Sequence, residues 1–83
     1  MKLTKNQMLN IISNSLEVEN ISMDSTILNT DEWDSLSQLA ILTDLDNALD
    51  GKVTDIEGIA NAESVNEIFN LLNENSLIEL NFV

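Results

Sequence analysis

Cysteine, histidine and arginine are absent from this chain, and its only cations are Lys2, Lys5 and Lys52. Each absence removes a class of function. Without thiols there is no disulfide framework and no thiolate zinc site. Without an imidazole no serine has the usual base to activate it, and no motif links a serine to Lys52, so the chain is not expected to be an enzyme in its own right. Binding to phosphate backbones or anionic lipid surfaces needs clustered Lys and Arg, and a net charge of −12 makes nucleic acid and membranes poor partners. Long apolar runs are missing too. The longest, Leu39 to Leu42, is far too short to span a membrane, and no secretory h-region is seen, so a cytoplasmic location is expected.

What is there is one small helical domain. A chain of 83 residues with 43% hydrophobic content supports a core, and buries roughly 60–65% of its unfolded surface. A deep catalytic cleft does not fit that size, whereas binding or carrying does. Between Lys5 and Lys52 no residue is positive. The field over that stretch is negative, steers basic protein surfaces toward it, and weakens with salt.

Helical periodicity organises residues 1–83. Thr4 to about Leu16 reads as a first helix, opened by a Thr4-x-x-Gln7 capping box with Leu3 and Met8 spaced as a hydrophobic staple. Met8, Ile12 and Leu16, with Leu9 alongside, make its apolar face. Glu17 to Asp34 is a polar connection longer than most in compact domains. Its Val18, Ile21, Met23, Ile27 and Leu28 are expected to anchor it across the helices as an ordered crossover. A second helix follows Trp33-Asp34-Ser35-Leu36 and runs to Asp50 without Gly or Pro. Leu39, Leu42, Leu45 and Leu49 form its core face with Ile41 at the edge, and Gly51 ends it with a left-handed cap.

A third, short helix is expected from Thr54, where Thr54-x-x-Glu57 repeats the capping-box spacing and Ile56 and Ile59 face inward. Gly58 weakens it by about 1 kcal/mol relative to alanine. The last helix starts at Ser64-x-x-Glu67, carries Val65, Ile68, Phe69 and Leu72, and runs to about Asn73. Glu74-Asn75-Ser76 reads as a break. The expected fold is therefore all-α, a four-helix bundle of three main helices and one short one, with its core at residues 4–73. Residues 74–83 form an apolar tail that extends the helix, folds back or binds something.

The second helix carries the functional signal. Asp34 or Ser35 can accept a hydrogen bond from the free amides of its first turn, and Ser35 with Gln38 has capping-box spacing. Ser35 thus stands at a helix N-terminus, where free amides and the helix dipole favour a phosphate, whether a ligand or a covalent attachment. Taken alone, Asp-Ser-Leu is more often a mere cap. Opposite the core stripe, Leu36, Ala40, Thr43 and Asn47 recur at helical spacing with Asp44 beside them. Next to Ser35, that stripe reads as a docking surface.

With Trp33-Asp34-Ser35-Leu36 followed by Gln38-Leu39 and Leu45 in a small acidic helical chain, the sequence resembles the acyl carrier protein family. The likeness covers about residues 4–73 and is densest from Trp33 to Leu49. Its form looks more like a stand-alone carrier of a specialised pathway than the housekeeping fatty-acid carrier. The resemblance implies an acyl-carrier-like four-helix domain with phosphopantetheine joined covalently to Ser35. A separate, magnesium-dependent phosphopantetheinyl transferase would supply the arm from coenzyme A, and acyl groups would ride on it as thioesters.

The same resemblance implies the remaining roles. Trp33, Asp34 and Leu36 would be read by the transferase and by partners. Acyl-transferring or acyl-activating enzymes with basic or apolar surfaces would dock along Leu36, Ala40, Thr43, Asp44 and Asn47. Leu42, Ile56, Ile59 and Ala62 are candidate residues of an acyl cavity, although core packing explains each equally well. No metal ligand is implied, and the chain is expected to be a monomer. Fatty-acid carriers bear several acids where this chain has Ala40, Thr43 and Asn47, so its partners are expected to rely more on shape and apolar contact around Leu36. The family pattern does not account for residues 74–83.

Two other readings stand beside it. Asp46, Asp50, Gly51 and Glu57 fall at the first, fifth, sixth and twelfth positions of an EF-hand calcium loop, with Val53 at the eighth. Ala48 breaks the third, and using the loop would unwind the end of the second helix. The other is a helical protein-interaction domain in which Ser35 is an unmodified cap.

Overall fold

Three side-chain caps decide where the helices begin. In the computed structural model, which describes residues 2–79, the Thr4 hydroxyl accepts from the Gln7 amide at 3.1 Å while the Gln7 side chain accepts from the Thr4 amide at 2.9 Å. That reciprocal pair opens α1, Lys5–Leu16. Asp34 caps α2, Ser35–Ala48, and Ser64 caps α3, Val65–Glu74, by accepting from the Glu67 amide at 3.1 Å. The helices also end alike. Glu17, Asp50 and Ser76 take left-handed backbone angles, with φ of 58°, 58° and 61°. The next amide in each case, that of Val18, Gly51 or Leu77, returns to a carbonyl of the last turn, Ser13, Asp46 or Leu72.

The helices then bury their apolar stripes against one another. Met8, Ile12 and Leu16 of α1, Ile41, Leu42 and Leu45 of α2, and Val65, Ile68 and Leu72 of α3 are all buried. Helix α1 packs most extensively on α2. One expectation for α2 fails: Leu39 is 61% exposed, whereas Ile41 is fully buried. Apolar residues surround this helix, so no unique wheel centre exists in its sequence. At about 100° per residue the buried set Ile41, Leu42, Leu45 and Leu49 occupies one face, and Leu39 falls beyond its edge.

The long connection from Glu17 to Asp34 is ordered against the core, as expected for Val18, Ile21, Met23 and Ile27, which pack half-buried onto it. It is also stitched to the start of α3. The Ile27 amide donates to the Glu63 carbonyl at 2.8 Å and the Val65 amide to the Ser25 carbonyl at 3.0 Å, around an antiparallel bridge of Thr26 with Ser64. Leu28 is a correction, being 92% exposed. Thr26 and Asn29 exchange side-chain to backbone bonds across it, and this turn lifts Leu28 to its tip.

The short third helix is not formed from Thr54. Asp46 takes the amides of Val53 and Thr54, at 3.0 and 3.2 Å, and the chain proceeds by tight turns such as Ile56 amide to Val53 carbonyl at 3.0 Å. Gly58, at φ 88°, then turns the backbone left-handed, which breaks any α-helix. Only a single 3-10 turn follows, Ile59–Asn61, with Ile56 and Ile59 nevertheless buried.

The all-α expectation is corrected as well. Leu3–Thr4 (β1) pairs in parallel with Ile78–Glu79 (β2), Leu3 opposite Ile78, so the start of the tail folds back on the domain with Leu77 and Ile78 buried. Residues 80–83 of that tail lie outside the described residues. The molecule is mostly helical, with three α-helices, one 3-10 turn and a small two-stranded sheet.

Candidate functional site

The start of α2 is a rigid shelf built from the chain on either side of it. Trp33 is 97% removed from solvent, its exposure being 3%, and its amide donates to the Thr30 carbonyl at 3.0 Å. Beyond it, the Asp34 carboxylate accepts from the Ser37 amide at 2.9 Å, and the Ser37 hydroxyl donates back to the Glu32 carbonyl at 2.7 Å. The Ser37 amide is the main reason that the Asp34 carboxyl is held below the usual aspartate range, the charged form being the one that the amide stabilises. Asp34 is the cap, then, and Ser35 the first helical residue.

That settles what Ser35 and Gln38 do, and it differs from the capping box expected of them. Ser35 is exposed, and its hydroxyl enters none of the side-chain hydrogen bonds among the described residues. Gln38 is turned elsewhere. Its Oε1 accepts from the Trp33 indole N–H at 2.6 Å, while its Nε2 donates to the carbonyls of Ala62 at 3.1 Å and Ala60 at 3.3 Å. One side chain therefore ties the buried tryptophan, α2 and the 3-10 turn together. Beside it a groove of about 440 Å³ opens at Ser35, bounded by Asp34, Gln38, Asn61 and Glu63 with Ile27, Ala60 and Ala62.

The outward face of α2 is largely as expected. Leu36 is 78% exposed, Thr43, Asp44 and Asn47 are exposed, and Ala40 is half-buried. Asp44 is less free than the sequence suggests, since its Oδ2 accepts from the Ser15 hydroxyl of α1 at 2.6 Å. Leu39 joins this face beside Leu36, so the apolar area next to Ser35 is larger than the sequence indicates. The candidate cavity residues Leu42, Ile56, Ile59 and Ala62 are all buried. Only Ala62 among them borders the groove that opens at Ser35.

Sequence reasoning missed Gln38 and Leu39. Gln38 carried a signal, a polar side chain on the helix one turn beyond a tryptophan, but its acceptors lie on a distant segment. Asp46 is engaged with the Val53 and Thr54 amides, and among the described residues no three potential metal ligands converge. No helix among them is long and apolar enough to cross a membrane. Comparison of the chain with protein-family models, curated proteins and solved structures finds no match.

Proposed function

We propose that this protein is a cytoplasmic, monomeric acyl carrier whose Ser35 is the attachment point of a phosphopantetheine arm. The observation that carries the reading is the exposed, unengaged hydroxyl of Ser35 on a fixed shelf, between an aspartate that caps the helix and a leucine that faces solvent. A hydroxyl so presented can be reached by a modifying enzyme without unfolding anything. When bound, the arm supplies a terminal thiol that holds acyl groups as thioesters.

The residues present fit such a group. Groove residues Asn61 and Glu63 offer amide and carboxylate partners to its amides and hydroxyls, and the first turn of α2 offers a phosphate the positive end of a helix. Asp34 fixes the direction of that turn, and buried Trp33 holds the approach to it. The protein itself performs no bond-making step. A separate phosphopantetheinyl transferase would join the arm to Ser35, the serine Oγ forming a phosphodiester as the pyrophosphate of coenzyme A breaks, adenosine 3′,5′-bisphosphate leaves and the serine proton passes to a base of the transferase; the carrier's contribution is proximity, since a tethered group meets a docked enzyme at high effective concentration. Leu36 and Leu39 make the docking face more apolar than acidic. Acyl-transferring or acyl-activating partners accordingly match it by shape, with the surrounding negative field aiding encounter.

The test is intact mass after incubating the protein and its Ser35→Ala variant with coenzyme A, magnesium and a broad-specificity phosphopantetheinyl transferase. One added arm on the parent alone is the expected result. No addition to a folded sample, with the transferase active on a control carrier, sinks the proposal.

A further inference from the structure

Beside the groove that opens at Ser35, Gln38 spans the gap between α2 and the 3-10 turn. Its three hydrogen bonds join the Trp33 indole on one side to the Ala60 and Ala62 carbonyls on the other. Two of these bonds are partly buried, where the loss of a partner costs most. Behind the bridge, Leu42, Ile56 and Ile59 are closed off from solvent, and none of them borders the groove at Ser35. An alkyl chain entering between α2 and the 3-10 turn must displace Gln38 and leave the partly buried Ala62 carbonyl and Trp33 indole N–H without their partner.

We infer that Gln38 is a latch that keeps cargo out of the core, so that this carrier serves short, polar acyl groups rather than long alkyl chains. The inference rests on Ser35 bearing the arm. A long chain denied the interior stays in water, at a cost that grows with every methylene, whereas a short acyl group with hydroxyl or amino substituents loses nothing by remaining outside. The groove outside the bridge is mixed: Asp34, Asn61 and Glu63 give polar cargo partners beside an apolar wall of Ile27, Ala60 and Ala62, and its two carboxylates repel acyl groups that carry a second carboxylate. Gln38 is thus a positioning residue that sets specificity through the 3-10 turn.

Two variants separate the latch from general support. Gln38→Glu can still accept from the Trp33 indole but cannot donate to Ala60 and Ala62, and Gln38→Ala loses all three bonds. Each protein, labelled at its Ile and Leu methyls, is loaded from acetyl-coenzyme A or octanoyl-coenzyme A by a broad-specificity transferase, checked by intact mass and compared by methyl NMR. In the parent, the Leu42, Ile56 and Ile59 signals should superimpose for the two cargoes. In at least one folded variant the octanoyl form should move them by more than a linewidth. Octanoyl-specific shifts in the loaded parent overturn the latch while leaving the carrier reading intact, as does their absence from both variants. Failure of the parent to load either cargo removes the carrier reading, and this inference with it.

Discussion

Helix α2 ends in an aspartate's grip at both extremities, to opposite effect. At the front, Asp34 takes the Ser37 amide and leaves Ser35 and Leu36 in solvent. At the rear, Asp46 reaches past the end of the helix to the amides of Val53 and Thr54, and there Leu49 and Val53 are fully buried. The chemistry is the same, a carboxylate satisfying backbone donors that no carbonyl reaches. What differs is where the following side chains go. A cap on the helix's own first turn presents a surface, whereas a carboxylate that captures the next segment folds it down and closes the core.

The sharpest way to break this comparison is Ser35→Ala, which should abolish arm addition while its stability to urea stays within about 0.5 kcal/mol of the parent. An arm that still attached would locate the modification elsewhere. Next in size is the contrast between Ile41→Ala and Leu39→Ala. The first should cost about 2–4 kcal/mol as a buried large-to-small change and the second less than about 0.5 kcal/mol, both from urea unfolding. Equal losses would mean that the outward face near Ser35 is not free. At the rear, Asp46→Ala should cost about 1–2 kcal/mol by stranding two amides, yet leave arm addition intact by mass. Loss of modification in that variant would show that the two ends are not independent.

The smallest effect concerns pH. The Asp34 carboxyl titrates below its usual range because the Ser37 amide stabilises its charged form. Its contribution to stability is therefore present above the unfolded-state value and is lost as pH falls through the lower folded one. An NMR titration should find the Asp34 midpoint below that of an unfolded-state aspartate. Asp34→Asn should flatten the corresponding part of the stability profile while keeping the cap.

Local features of this protein were legible from sequence, and non-local ones were not. The Thr4 and Ser64 caps and the stripes of α1 and α3 follow from residue spacing, and each is formed as read. The exposed Leu36 beside Ser35 followed from the same arithmetic. Where the reading failed, a distant partner decided. Thr54 opens no helix: Asp46, earlier in the chain, holds its amide, and Gly58 turns the backbone left-handed one turn later. Leu77 and Ile78 pair with the opposite end of the sequence, for which two-residue strands carry no periodic signal. Gln38 looked like half of a capping box until its acceptors on the 3-10 turn came within reach.

Glu17, Asp50 and Ser76 hold the corners where the three helices are left, in a backbone region that ordinarily belongs to glycine. All three are exposed. Strain of this kind is an adjustable setting. Glycine at any of the three would relieve it without altering a packed side chain, and asparagine would relieve part of it. The stability of the fold can thus be raised or lowered at its corners, by selection or by an engineer, while the helix that presents Ser35 keeps the same face toward solvent.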